Sequence, residues 1–169
     1  MGCLWRTAEV VVARYFEEFE PGELLISAGR TVTETDVVNF AALSGDWNEL
    51  HVNEEFARQG HFGRRIAHGA LTFAISTGLA AQADRARQPN LIAFYGVDRL
   101  RFVKPVFPGD TIRLKETVQS LEPRDEKSGV VNLAREILNQ NEAVVLSYTA
   151  KLLVRRRLGG ASGAREAQR

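Results

Sequence analysis

Residues 66–83 contain no Asp, Glu, Lys or Arg, the longest uncharged run in the chain. Within it, Gly69 to about Ala83 reads as one helix with small and aliphatic residues on every side, the pattern of a helix buried all round. His68, Gly69, Thr72, Ser76, Thr77, Gly78 and Gln82 make the run too polar for a bilayer, so a protein core is its expected surrounding. The second half of the chain must supply that core. After a break at Gln88-Pro89-Asn90, strand patterns run over 91–104, 111–121, 130–139 and 143–156. Val144, Leu146, Tyr148, Ala150 and Leu152 alternate along the last of these. The polar linkers 122–128 and 139–142 read as hairpin loops, and Pro108-Gly109-Asp110 as a turn. Consecutive strands joined by short loops pair antiparallel, and an apolar helix beside them must be wrapped by their sheet. The expected class is α+β, a curved antiparallel sheet around a long central helix.

The first half of the chain is more irregular. Residues 1–13 read as an N-terminal arm and 24–32 as one strand. Thr33-Glu34-Thr35-Asp36 resembles a capping box with Asp in place of Glu, opening a helix with Val37, Phe40, Ala41 and Ser44 on one face. A short helix is expected over 53–59 and a loop over 60–68. A domain over 14–157 and a disordered tail over 158–169 complete the layout. The net charge of +1 gives no electrostatic case for nucleic acid. The one cysteine, Cys3, leaves no intramolecular disulfide and no cysteine metal cluster. Arg6 stands where N-myristoylation wants Ser or Thr, and no apolar leader segment follows, so a cytoplasmic protein is expected.

The chemistry gathers in Ser44-Gly45-Asp46-Trp47-Asn48-Glu49-Leu50-His51. Gly45 suits a helix C-terminus, after which Asp46, Asn48 and His51 share a short loop. A carboxylate and an imidazole held together can share a water, one orienting or deprotonating it and the other shuttling a proton. The helix that opens at Gly69 presents backbone N–H groups without partners. This combination suits addition of water to a carbonyl-conjugated double bond. Acyl-group hydrolysis is the competing reading.

These residues carry a resemblance. Residues 40–51, Ile66-Ala67-His68-Gly69 and Phe102-Val103-Lys104-Pro105-Val106-Phe107-Pro108-Gly109-Asp110 resemble, in that order, the motifs of MaoC-like dehydratases. That hotdog-fold family includes the (R)-specific enoyl-CoA hydratases, and the resemblance covers roughly residues 16–155. Glu49 departs from it, standing where the family usually has Pro. The resemblance implies a trans-2-enoyl thioester, on CoA or a carrier protein, hydrated reversibly to a (R)-3-hydroxyacyl thioester. Asp46 and His51 would hold the water, Asn48 would orient His51 or the loop, and a backbone donor near Gly69 would take the enolate charge. Thr77 lies where the family often has a small hydroxyl residue near the substrate; a core threonine bonded to the preceding turn is the other reading. Arg64, Arg65, Arg101 and Lys104 are candidates for the CoA phosphates. His61 and His68 read as structural, His68 as a loop hydrogen-bonder. No metal or redox cofactor is implied, CoA being part of the substrate, and a homodimer or dimer of dimers is expected. A hotdog thioesterase is the first alternative, although residues 69–83 lack the carboxylate such enzymes set on this helix. A non-catalytic thioester-binding subunit is the second.

Overall fold

The computed structural model describes residues 13–157. The tail expected over 158–169, all of the expected arm but its last residue, and Cys3 lie outside the described residues. A 3₁₀ turn at Phe16–Glu18 leads into two short strands, β1 (Leu24–Ile26) and β2 (Arg30–Thr31). Three helices follow, α1 (Glu34–Ser44), α2 (Glu49–Val52) and α3 (Glu54–Gln59), then the long α4 (Gly69–Ala83). A second 3₁₀ turn, Gln88–Asn90, opens the strand series β3 (Leu91–Phe102), β4 (Thr111–Pro123), β5 (Ser128–Leu138) and β6 (Val144–Arg155). The sheet order is β1-β4-β5-β6-β3, with β2 also on β4 and every pairing antiparallel.

The expected strand over 24–32 is broken in two. Ser27 N–H donates to the Leu114 carbonyl while its own hydroxyl accepts from Leu114 N–H at 2.9 Å. A side-chain oxygen thus takes the place of the ladder acceptor, and the strand resumes only at Arg30. α1 starts where the capping residues place it: the Thr33 hydroxyl accepts from Asp36 N–H at 3.1 Å, and the Asp36 carboxylate accepts from Thr33 N–H at 2.8 Å.

Helix α4 has the expected ends, but its burial is one-sided. Leu71, Thr72, Ile75, Ser76, Leu79 and Ala80 are buried against the sheet, while Ala70, Ala74 and Ala81 are exposed on the opposite flank. One sheet can cover one flank only, which corrects the all-round burial read from composition. The core lies between that flank and the inward residues of β4, β5 and β6, including Leu114, Leu133, Ile137, Leu146 and Leu152. A buried polar chain crosses it. Glu116 accepts from Arg87 at 2.9 Å and from Arg135 at 2.6 Å, and the Tyr148 hydroxyl lies 2.8 Å from that of Ser76 on α4. A buried carboxylate so bracketed has its charge compensated and its oxygens bonded, the condition for ionic groups in a core.

β3 lies at the sheet edge and carries three register shifts against β6, with Arg99 at φ 54° inside the last one. Bulges of this kind bend and twist an edge strand. Its apolar residues Ile92, Phe94, Tyr95 and Phe102 are exposed.

Candidate active site

The loop after α1 is built by its own side chains. Gly45, at φ 78°, ends the helix in the left-handed conformation open to glycine, its N–H donating to the Ala41 carbonyl at 2.9 Å. The Asp46 carboxylate accepts from Asn48 N–H at 3.3 Å, and the Asn48 carboxamide oxygen accepts from Leu50 N–H at 3.0 Å. Asn48 is therefore the N-cap of α2, the one-turn helix that carries His51.

Two imidazoles meet beneath this loop. His51 Nδ1 lies 2.8 Å from the carbonyl of Ile66. A carbonyl can only accept, so Nδ1 carries the proton and Nε2 presents its lone pair. His68 Nε2 lies 3.0 Å from the carbonyl of Asp46 and by the same argument is the protonated nitrogen of that ring. The two rings are stacked with centroids 3.8 Å apart, and Phe40 closes over His68 at 5.0 Å. Burial pushes the His68 pKa below the usual imidazole value; the bond to the Asp46 carbonyl opposes this, and the neighbouring His51 adds to it. His68 is 2% exposed, whereas His51 is half-buried and Asp46 exposed. Side-chain atoms of Asp46, His51 and His68 fall within 4.8 Å of one another, a spacing that a shared water bridges as readily as a cation. The bond expected of His68 within its own loop goes instead to the Asp46 carbonyl in the loop after α1, and the ring stacks on His51. Its position immediately before Gly69 was the available signal.

An apolar cavity of about 410 Å³ adjoins this cluster, with Phe62, Ile66, Gly69, Thr72, Phe102 and Lys104 among its lining residues. Ile66 joins the two features, since its carbonyl receives His51 Nδ1–H and the residue lines the cavity. Asp46 and His51 stand beside the cavity and do not line it. The loop is tied down by Ala67 N–H, which donates to the Val106 carbonyl at 2.7 Å. Gly69 is the first residue of α4, where N–H groups lack helical partners. A Cβ at this position would lie 2.8 Å from Cε1 of Phe102, so glycine leaves room for that ring. Phe102 opens the motif that ends at Asp110, yet nothing in the pattern of residues places it over the helix start.

The remaining sequence candidates scatter. The Thr77 hydroxyl donates to the Ala74 carbonyl at 2.8 Å, and Thr77 is not among the cavity's lining residues. Arg65 bonds Glu54 and Glu34, each at 2.9 Å, and so clamps α3 to α1. Arg64 lies over the Phe107 ring and donates to the Pro108 carbonyl. Arg101 turns back to the Leu100 carbonyl. Lys104 alone of the four lines the cavity; it is exposed and has no carboxylate partner among the described residues.

A long helix lying along one curved antiparallel sheet, with an Asp/His loop beside the helix start, defines a hotdog-fold protein. The family model described as the MaoC like domain matches residues 18–140, and the chain belongs to that family. The (R)-specific enoyl-CoA hydratase of Rhodospirillum rubrum is 35% identical over 145 residues, which cover 83% of this chain and 96% of that protein. Protein MaoC of Klebsiella aerogenes is 42% identical over 120 residues, 68% of this chain; the match spans only 35% of that longer protein. A solved structure from Archaeoglobus, described as a monoamine oxidase regulatory protein, superposes with a TM-score of 0.83 at 39% identity, covering 86% of this chain and 96% of that one.

Proposed function

We propose that this chain hydrates trans-2-enoyl thioesters reversibly to (R)-3-hydroxyacyl thioesters. The observation that carries the reading is the His51 ring, fixed through Nδ1 so that its Nε2 lone pair is available in the same cluster as the Asp46 carboxylate, next to the start of α4. A water held by Asp46 gives a proton to His51 Nε2 while its oxygen forms the bond to C3 of the enoyl group. The C2–C3 π electrons move toward the thioester carbonyl, and the oxygen gains enolate charge. A backbone N–H at or next to Gly69, reinforced by the dipole of a fifteen-residue helix, takes that charge. The pair then returns the proton to C2 from the same face, which gives syn addition and restores His51. The conjugated carbonyl activates the alkene, so the reaction asks for no metal or redox cofactor. The name of the Rhodospirillum relative, matched over nearly its whole length, supports this reading.

Lys104, at the cavity, is the cation best placed for a phosphate of the CoA handle; Arg65 is committed to two glutamates. Among the described residues no helix is long and apolar enough to cross a membrane. We infer a cytoplasmic enzyme drawing on CoA thioesters and working as a homodimer or an assembly of dimers.

The test is absorbance of the enoyl-thioester band with crotonyl-CoA. Its loss without release of thiol, together with recovery of the (R)-3-hydroxybutyryl product, is the expected result. Thiol release would mark a thioesterase, and an unchanged spectrum would refute catalysis on this substrate.

A further inference from the structure

At the other end of the sheet lies a second and larger cavity, of about 720 Å³, whose lining includes Tyr15, Asn90, Lys127, Arg155, Arg156 and Arg157. It is separate from the hydration site. β3 begins beside Asn90 and ends at Phe102 twelve residues later, and β6 runs back from Val144 to Arg155, so the two cavities are on the order of 35 Å apart along the strands.

Four of these six residues are cations. Arg156 and Arg157 are partly neutralised by Glu17 and Glu18. Lys127 and Arg155 are exposed and have no carboxylate within ion-pair distance among the described residues. Like charges gathered in a concavity repel one another and focus a positive potential there. Guanidinium and ammonium donors together call for an anion with several acceptor oxygens, for which phosphate is the matching group. The volume exceeds what a lone phosphate fills, and the Tyr15 ring lies at the same wall with the Arg157 guanidinium 5.3 Å from its centroid.

We propose that this basic cavity binds the phosphates of a nucleotide. One source is the nucleotide handle of an acyl-CoA bound to a second copy: antiparallel pairing of two β3 edges brings the start of one strand beside the end of the other. That source rests on the hydratase reading and on the dimer. The other source is a free nucleotide.

The experiment titrates adenosine 3′,5′-bisphosphate into the full chain and into Lys127→Gln/Arg155→Gln by calorimetry, with circular dichroism to show that both are folded. The wild type is expected to bind and the variant to bind at least about tenfold more weakly. A wild type that takes up none at millimolar concentration, or a variant that binds as tightly, overturns the proposal. Two kinetic arms then separate the sources. A raised KM for crotonyl-CoA in the variant, with KM for crotonyl-pantetheine and both kcat values unchanged, assigns the site to the CoA handle. Unchanged KM values alongside weakened bisphosphate binding assign it to a free nucleotide. Absence of hydration in the wild type would defeat the hydratase reading and leave the titration intact.

Discussion

His68 lies face to face with His51, ring centroids 3.8 Å apart and planes inclined by 30°, while its Nε2–H reaches the carbonyl of Asp46. One buried ring therefore touches both members of the proposed water-holding pair, the imidazole by stacking and the carboxylate through its backbone. Phe40, on the last turns of α1, backs it from the other side. Because His68 contacts both by stacking and through a backbone carbonyl, we assign it a positioning role, and the two kinds of role call for separate tests.

Asp46→Asn and His51→Ala are each expected to lower kcat by on the order of 10² to 10⁴, the usual consequence of losing a positioned acid or base. Both side chains are at least partly exposed, so the fold should survive. Hydration of crotonyl-CoA and circular dichroism check this together; near-wild-type turnover in either folded variant would sink the assignment.

His68→Gln should act differently. Small displacements of reacting groups cost up to about 10² in rate, so kcat should fall by a smaller factor than for the pair, with KM little changed. The same variant tests a pH effect. Burial holds the His68 pKa below the usual value of about 6.5, so the folded state resists the proton. Between its depressed folded pKa and about 6.5 the unfolded chain binds more protons than the folded one. Stability from this group is thus fully present at higher pH and is lost as pH falls through about 6.5 toward the folded value. Thermal melts from about pH 8 to about pH 5 should show a falling Tm in the wild type and a shallower fall in His68→Gln. Equal slopes would remove His68 from the pH dependence.

Gly69→Val is expected to damage turnover through Phe102. A Cβ at this position meets ring atoms at 2.8 to 3.0 Å, closer than side chains tolerate, so the ring, which lines the cavity, must be displaced. Substitution leaves the Gly69 N–H in place, and lost turnover would come from the crowded approach to it. Loss of an oxyanion contact elsewhere is worth about 3 kcal/mol, so kcat should fall by about 10². Phe102→Ala combined with Gly69→Val should recover part of that loss. If the double variant is as slow as Gly69→Val alone, the steric route is wrong.

Several of these features were legible in the sequence. The Thr33/Asp36 capping pair, the Gly45 terminus and both ends of α4 follow from local rules about caps, glycine and hydrophobic period, and the structure has them at those residues. The antiparallel pairs β4–β5 and β5–β6 followed from short loops, but β3 pairs with the distant β6 and not with β4, which follows it after a short turn. The failures depended on groups far apart in the chain. Ser27 interrupts its strand by bonding Leu114, eighty-seven residues away. Arg65 looked like a free loop cation until Glu34 and Glu54 were brought to it. His68 and His51 are seventeen residues apart, and no periodicity announces that their rings will stack. The exposed flank of α4 was misjudged because composition reports what a face is made of and is silent on whether one sheet can cover it.

Lys104→Ala and Arg65→Ala should separate a substrate contact from a structural clamp. Lys104 lines the cavity without a carboxylate partner among the described residues, so its removal should raise KM for crotonyl-CoA several-fold, by about 1 kcal/mol, and leave Tm unchanged. Arg65 joins α1 to α3 through two partly exposed ion pairs, which contribute little to stability. Arg65→Ala should therefore lower Tm slightly and leave KM alone. The reverse pattern would return the phosphate role to Arg65.

The last prediction concerns assembly. β3 pairs with β6 on one side only, leaving its outer edge without a ladder partner among the described residues. Ile92, Phe94 and Tyr95 are 42 to 54% exposed along this strand, and the alanine flank of α4 is exposed as well. An apolar edge strand of twelve residues is a template for another strand, and antiparallel pairing with a second copy closes it by two-fold symmetry. Sedimentation at micromolar concentration should give a dimer or a multiple of it. Tyr95→Lys/Ile92→Lys, which charges that edge while leaving the hydration residues in place, should shift the equilibrium toward monomer. A wild-type chain that sediments as a monomer, or a charged variant that stays fully dimeric, would show that this edge is not the contact. Retained crotonyl-CoA hydration in a monomeric variant would further show that one protomer contains the whole site.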